Sequence, residues 1–440
     1  MHRVVATLFT GSALLLSSTV SHAEDLLEIY RFAQESDPQL RAAEAGNQAA
    51  QEVRAQSRAA LLPQLNLNAS VNQNSTDVLE SNTGSPTGDE TYTSNGYNVS
   101  LVQSIYHHDY YVQLRQADAR IAQANAEYEN AKQGLILRAA DAYFNLLAAQ
   151  DSLTSAEATK RAIAQQLRQT QQRFEVGLSA ITDVHEAQAA YDSALAAELA
   201  AQSQLDTTRE NLREIIGRDP VALAVLTDEM PLLSPEPADI QQWVEQAQQQ
   251  NLSLLAAEAA ARAAMEELNR RQAGHYPTLD LVASHNYNDS TDYTYGSETT
   301  NNRIGIQLNV PIYSGGLTTA QTREARALYT QAQEALEQQR RATVRETRSA
   351  YLGVTTGISQ VRARKQALAS AQTALEATQA GFEVGTRTIV DVLDAQRARY
   401  SAQRDYLRAR YDYLLATLRL KQAAGMLSVE DITQINAWLK

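Results

Sequence analysis

Two short stretches concentrate the side chains that could act on something outside the chain. Residues 385–395 read Gly-Thr-Arg-Thr-Ile-Val-Asp-Val-Leu-Asp-Ala, so Asp391 and Asp394 stand three apart on one helix face, shortly after Arg387. Such a carboxylate pair attracts cations, and acidic residues in a first turn also stabilise the helix dipole. Both readings stay open on spacing alone. A near copy lies 208 residues earlier: 174–190 aligns with 382–398 without a gap and matches at 10 of 17 positions. The copy carries Thr182, Asp183 and Glu186. In each copy Gly177 or Gly385 supplies the left-handed residue that ends an incoming helix. Thr182 or Thr388, with Asp183 or Asp391 just inside, is expected to cap the outgoing one. Each copy reads as a helix–turn–helix tip, and two tips at one offset mark an internal duplication.

The chemistry these residues suggest is not catalytic. The chain has no cysteine, which removes disulfides, thiolate sites and a lipidated cysteine after signal cleavage. No Ser-His-Asp arrangement, phosphate-binding loop or zinc spacing is present, so neither an enzyme nor a cofactor or metal site is expected. The tandem His107-His108 with Asp109 has metal-binding donors, but it falls where a strand passes into a helix and reads better as an anchor at an interface. His185, His275 and His285 are scattered. The net charge of −13 becomes −14 once the single charge of Arg3 leaves with the export signal. That surface repels nucleic acid and favours cations.

The first 23 residues have the form of a secretory signal: Arg3, an apolar run through Leu8 and Ala13–Leu16, and a Ser21-His22-Ala23 cleavage site. No later window offers about 18 consecutive apolar residues, so any membrane crossing must use strands. The tips are positioned by long helices. The second half of the first repeat is a helix of about 108–175 and a return helix of about 181–216, with Gly177 the only glycine between Gly134 and Gly217. The second repeat gives about 317–383 and 389–424. A seam is expected on the first return helix through Ile181, Val184, Tyr191, Leu195, Leu205, Leu212 and Ile216. The last helix carries Leu393, Tyr400, Leu407 and Leu414 on one seam and Ile389, Val392, Tyr406, Tyr413 and Leu420 on another. Two seams imply neighbours on both sides.

Ahead of each long hairpin lie shorter helices (25–36, 38–60 and 251–274) and two stretches of strand period. Leu65, Leu67, Ala69 and Val71 alternate with polar residues over 64–72, and Tyr97, Val99, Leu101 and Ile105 do so over 97–105. In the second repeat Leu279, Leu281 and Ala283 alternate, then Ile304, Ile306, Leu308, Val310 and Ile312. The polar segments 73–95 and 288–302 read as loops. The chain thus divides into the signal 1–23, a first repeat 24–217, a connector 218–237, a second repeat 238–425 and a short C-terminal helix with its tail, 426–440. At 1.5 Å per residue a helix over 317–383 spans roughly 100 Å, which makes each repeat two helices wide, one continuous and one broken. Strands with one polar and one apolar face suit an outer-membrane barrel, yet four cannot close one, because the smallest have about eight. The chain must assemble; two copies are the minimum, and three give twelve strands and twelve helix widths. Tyr106, Tyr110, Tyr111, Tyr276 and Tyr313 at the helical end, with Tyr92, Tyr287, Tyr293 and Tyr295 at the loop end, suit two aromatic girdles.

With these features in place, the chain resembles the TolC family of outer-membrane efflux and secretion channels over essentially its whole mature length. The most specific stretches are 385–395, Gly-Leu-Ser-Ala-Ile-Thr-Asp-Val at 177–184, and Pro-Ile-Tyr-Ser-Gly-Gly at 311–316. The resemblance implies a mainly α fold with a small β part: a homotrimer whose 12-stranded membrane β-barrel continues into a long α-barrel across the periplasm. It implies an exit duct for type I protein secretion or multidrug efflux, set in outer-membrane lipid. Its partners would be a periplasmic adaptor and an inner-membrane transporter of ABC or RND type. By the same resemblance Asp391 and Asp394 form the cation-selective constriction at the periplasmic entrance, and Arg387 latches the second hairpin to the first at Thr182 and Asp183. Phe382 stands where the family's TolC has a tyrosine whose hydroxyl strengthens that latch. The competing reading, a periplasmic coiled-coil spacer without a pore, has no use for strand pairs bounded by tyrosines.

Overall fold

The computed structural model describes residues 23–80, 87–227, 230–291 and 296–440. Residues 1–22 of the predicted export signal, Tyr293 and Tyr295 lie outside them. The order of elements repeats: α1 (Leu26–Ser36), α2 (Pro38–Ala59), β1 (Gln64–Val78), β2 (Gly88–Tyr106), α3 (His108–Glu175) and α4 (Ile181–Ile216), then α5 (Ile240–Gln250), α6 (Leu252–Gln272), β3 (Thr278–Thr291), β4 (Ser297–Asn309), α7 (Leu317–Glu383) and α8 (Ile389–Ala423). A short α9 (Val429–Asn436) follows. The repetition reaches local chemistry. α1 and α5 both have 11 residues, and each ends at the Asx residue, Asp37 or Asn251, whose side chain caps the next helix. Helix α5 has no counterpart among the expected helices. Trp243, Val244 and Ala247 give it a buried face, but it is short and follows the proline-rich connector.

Helices α3 and α7 have 68 and 67 residues and run the length of the helical part. In the half nearer the sheet α3 packs against α2 and α6, and α6 against α7. In the other half α3 packs against α4 and α8, and α8 against α7. The wall is four helices wide at both levels, with one continuous and one broken helix in each repeat. The two seams of α8 are present: Leu393 and Leu414 are buried, and so are Ile389, Val392, Tyr413 and Leu420. The seam expected on α4 is different near the tip. Ala187, Ala190 and Ala194 are buried there, whereas Ile181, Leu195 and Leu199 are exposed. Alanine lets the α3 and α4 backbones approach closely, so the larger apolar residues are left on the outside.

The main core sits midway along the wall. Leu26, Ile29, Leu135, Tyr143, Phe144, Leu212, Leu414, Leu418 and Ile432 join α1, α3, α4, α8 and α9 in one apolar cluster. The Tyr143 hydroxyl donates to Ala224 O at 2.6 Å, tying in the connector. Single bridges, Glu24 to Leu223 and Leu226 to Leu439, fasten the connector to both ends of the described chain.

The four strands form one antiparallel sheet in the order β1-β2-β3-β4, so β1 and β4 are edges without a partner among the described residues. Residues paired in register share a face. Leu65 pairs with Leu101, Leu67 with Val99, and Leu279, Leu281 and Ala283 with Leu308, Ile306 and Ile304. This face carries little cover: Leu65 is 69%, Ile304 78% and Ile306 68% exposed. Tyr97 stacks on Tyr287 at 5.3 Å across β2 and β3. From Leu279 to Tyr287 is eight steps, roughly 26 Å along the strand at about 3.3 Å each, or about 20 Å of height at a tilt of about 40°, most of an outer-membrane apolar band. Two expectations need correcting here. Most of 73–95 and 288–302 is strand, because β1 runs on to Val78, β2 begins at Gly88, and β3 and β4 continue past Tyr287. Beyond the apolar band both faces are polar, so alternation fades while Thr, Ser and Tyr still favour strand. Conversely β4 stops at Asn309, because Pro311 cannot donate to a ladder, and Val310 and Ile312 lie outside it.

Candidate functional site

The two tips lie at the end of the helical wall farthest from the sheet, and both turns follow from one glycine each. Gly177 has φ +74° and Gly385 φ +81°. A side chain in that conformation costs about 1 kcal/mol or more. At each tip an N–H beyond the glycine reaches back over the helix end, Leu178 N to Arg173 O at 2.7 Å and Thr386 N to Gly381 O at 2.8 Å. These bonds satisfy carbonyls that the helix end would otherwise leave free.

The outgoing helices are capped differently. At the second tip Thr388 is the N-cap. Its Oγ1 accepts from Asp391 N at 3.3 Å, and Asp391 Oδ2 accepts from Thr388 N and from the Thr388 hydroxyl, both at 2.9 Å. The Thr388 backbone N–H, its hydroxyl and the charge of Arg387 hold the Asp391 carboxyl below the usual aspartate range. At the first tip the N-cap is Ala180, not Thr182 as the sequence suggested. Alanine has no acceptor, so only half the arrangement forms, Ala180 N donating to Asp183 Oδ2 at 3.2 Å. Thr182 is the second residue inside the helix and is exposed. Asp394 is exposed and accepts from Arg397 Nη1 at 3.1 Å. Glu186 is exposed as well.

Within one chain Arg387 is not brought to Thr182 or Asp183. No hydrogen bond or ion pair joins them among the described residues. The Arg387 side chain lies instead over Gly381, where an added Cβ would stand 2.8 Å from Arg387 Cγ. What joins the two hairpins here is a small apolar cluster: Ile163, Ala190 and Ala194 of the first against Ile389 and Leu393 of the second, with Tyr191 and Phe382 beside it. One further contact involves a residue that tip-by-tip reading passed over. The guanidinium of Arg173 lies over the Phe382 ring, 5.1 Å from its centre. Arg173 falls one residue before the duplicated stretch and aligns with Gly381, so the repeat comparison gave no sign of it.

At the other end of the wall His107 acts as an anchor. Its Nε2 lies 3.0 and 3.2 Å from the two oxygens of Asp280, and its ring stacks on Tyr110 at 4.4 Å. His108 meets Tyr276 edge-on at 5.1 Å. Strand β3 is thereby pinned to the start of α3. Among the described residues no group of three or more His, Cys, Asp or Glu is placed to hold a metal.

The chain matches the family model described as "Outer membrane efflux protein" over residues 29–218 and 243–426. It is 44% identical over 437 residues to the outer membrane protein TolC of Vibrio cholerae serotype O1, covering 98% of each chain. It is 32% identical to the alkaline protease secretion protein AprF of Pseudomonas aeruginosa, covering 99% of this chain and 92% of that one. Its fold is shared by the outer membrane protein VceC of Vibrio cholerae, with a TM-score of 0.76 and 21% identity over 91% of this chain and 96% of that one.

Proposed function

Since the chain belongs to the outer membrane efflux protein family, and is an outer-membrane channel of efflux and secretion, we propose that it works as a homotrimeric duct gated at the helix tips. The observation that carries this reading is the sheet. Four strands present an apolar face to the outside and leave both edges, β1 and β4, unpaired. In lipid an open edge strands backbone N–H and C=O groups without water, so the sheet must be completed by other copies of itself. Three copies supply twelve strands, and the helical walls beneath them supply twelve helices around one bore.

At the far end of that bore threefold symmetry turns Asp391 and Asp394 into two stacked rings of three carboxylates. Rings of that kind in a narrow opening attract cations and resist anions. Closure brings Arg387 to Thr182 or Asp183 of a first hairpin. In the single chain Arg387 is folded over Gly381, so this bond belongs to the assembled tips. A charge-assisted hydrogen bond contributes about 1.5–3 kcal/mol and an exposed ion pair less, which suits a gate that a docking partner can release. A periplasmic adaptor and an inner-membrane ABC or RND-type transporter supply that release and the energy. The efflux family and the protease-secretion relative leave both small compounds and proteins as cargo.

The test is single-channel recording of the purified protein in a planar bilayer. The parent is expected to conduct at a low, closed level, and Arg387→Ser to raise conductance severalfold with the assembly intact. Absence of any channel would return the chain to a spacer. A conducting parent with an unchanged Arg387→Ser variant would remove the latch alone.

A further inference from the structure

We infer that Arg173 and Phe382 form a clasp that holds the tip of the second helix hairpin against the first. The inference rests on the tips being the gate. Arg173 lies in the last turn of α3 and Phe382 in the last turn of α7, so the contact joins the two inbound helices at the same height above the turns. The guanidinium carbon stands 5.1 Å from the ring centre, within the range at which a cation is drawn to an aromatic face. Among the described residues that guanidinium makes no hydrogen bond and no ion pair. The ring is therefore its one specific partner.

The seam behind the clasp explains why a single contact matters. Between α3, α7 and α8 lies an open groove of about 760 Å³, lined by Arg173 and Phe382 themselves, by glutamines including Gln166 and Gln396, and by Leu375 and Val392. Gln166 and Gln396 are 8% and 7% exposed, yet Gln166 Nε2 and Gln396 Oε1 have no hydrogen-bond partner among the described residues. A space of that size admits water to the glutamines that face it. A leucine-filled seam would lock the hairpins over many contacts. Below the main core and the Ser155–Tyr400 bond, the tip end of this seam has only the five-residue apolar cluster and the clasp. Phe382 belongs to both, because it flanks the cluster and carries Arg173 on its face. Loss of the cation or of the aromatic face loosens the tip end of the second hairpin, which the main core still anchors midway along the wall.

The test uses the full-length protein, purified as the detergent-solubilised assembly and recorded in planar bilayers. Arg173→Met keeps the length and apolar stem but removes the charge. Phe382→Leu keeps an apolar side chain but removes the ring, whereas Phe382→Tyr keeps the ring. Arg173→Met and Phe382→Leu are each expected to raise single-channel conductance severalfold, and the double variant to rise no further than either. Phe382→Tyr is expected to stay at the parental level. Conductance unchanged in Arg173→Met, or effects that multiply in the double variant, would overturn the clasp. Arg173→Gln gives a second reading of the same loss if Arg173→Met assembles poorly. Ion selectivity of Asp391→Asn with Asp394→Asn, measured in parallel, distinguishes failure of the clasp from failure of the gate. Altered selectivity with a silent Arg173→Met defeats the clasp and leaves the gate, whereas silence in both defeats the gate and the clasp with it.

Discussion

At the second tip the Asp391 carboxylate closes a helix cap and also carries a charge toward the proposed opening, and the two roles can be separated by one substitution. Asparagine at 391 still offers an oxygen to Thr388 N–H and its hydroxyl, so Asp391→Asn keeps the cap while removing the charge. Combined with Asp394→Asn, it is expected to lower cation selectivity in reversal-potential measurements with no change in assembly. Selectivity equal to the parent's would leave Asp391 a capping residue only. The pH dependence follows from the direction of its shift. A carboxyl held below its unfolded value contributes stability that is present above about pH 4 and is lost as pH falls through the lower folded value. The parent's selectivity should therefore persist through mildly acid solution. The acidic pair and both glycines were legible in the sequence because the duplication displayed them twice. Thr182 resembles a cap without being one for a related reason: the equivalent of Thr388 is Ala180, which has no side-chain oxygen to signal the position. Arg173 was illegible because its partner lies 209 residues away, on another helix.

The elements show which sequence signals survive folding. Long runs without proline and with few glycines placed α3, α4, α7 and α8 to within about a residue, since little else interrupts a helix. Strand ends were misplaced because period-2 alternation reports one apolar face, and that face ends before the strands do. The join between α1 and α2 offers a sharper test of packing. Asp37 caps α2 through Leu40 N–H and receives both ends of the Arg138 guanidinium, at 3.2 and 2.6 Å. Burial alone would raise this carboxyl, but the bonds from Arg138 and from Leu40 N–H outweigh it and hold it below the usual range. Arg138→Met should leave a nearly buried carboxylate without its cation and cost about 2–3 kcal/mol per chain. The measurement is thermal or denaturant unfolding at neutral pH and again at about pH 3. Because the folded pKa is lowered, the pair's contribution is present above about pH 4 and fades below it. The difference between parent and variant should shrink in acid. A difference that stays constant would mean that Arg138 acts through packing of its stem.

For the whole molecule the number of copies follows from what each candidate barrel can contain. Neighbouring strands stand about 4.8 Å apart and tilt by about 40°, so eight strands from two copies close at roughly 16 Å across the backbone, a width that side chains fill. Twelve strands from three copies reach roughly 24 Å and leave a central passage. The helical wall obeys the same arithmetic. Helices packed at about 10 Å give a ring roughly 38 Å across for twelve and about 25 Å for eight, from which one helix diameter of about 10 Å is lost to the wall. Only the larger ring leaves a bore wide enough for a folded or partly folded polypeptide. Sheet and wall also demand the same number of copies, since one chain contributes four strands and a wall four helices wide. A dimer would close the sheet over a plugged lumen, and a tetramer would open a ring roughly 50 Å across with more side-chain gaps at the seams. Native mass spectrometry of the detergent-solubilised protein should accordingly show three chains, and the same preparation should conduct in a bilayer. A conducting species of two chains would refute the geometric argument, because it would require a passage where the strand count leaves none.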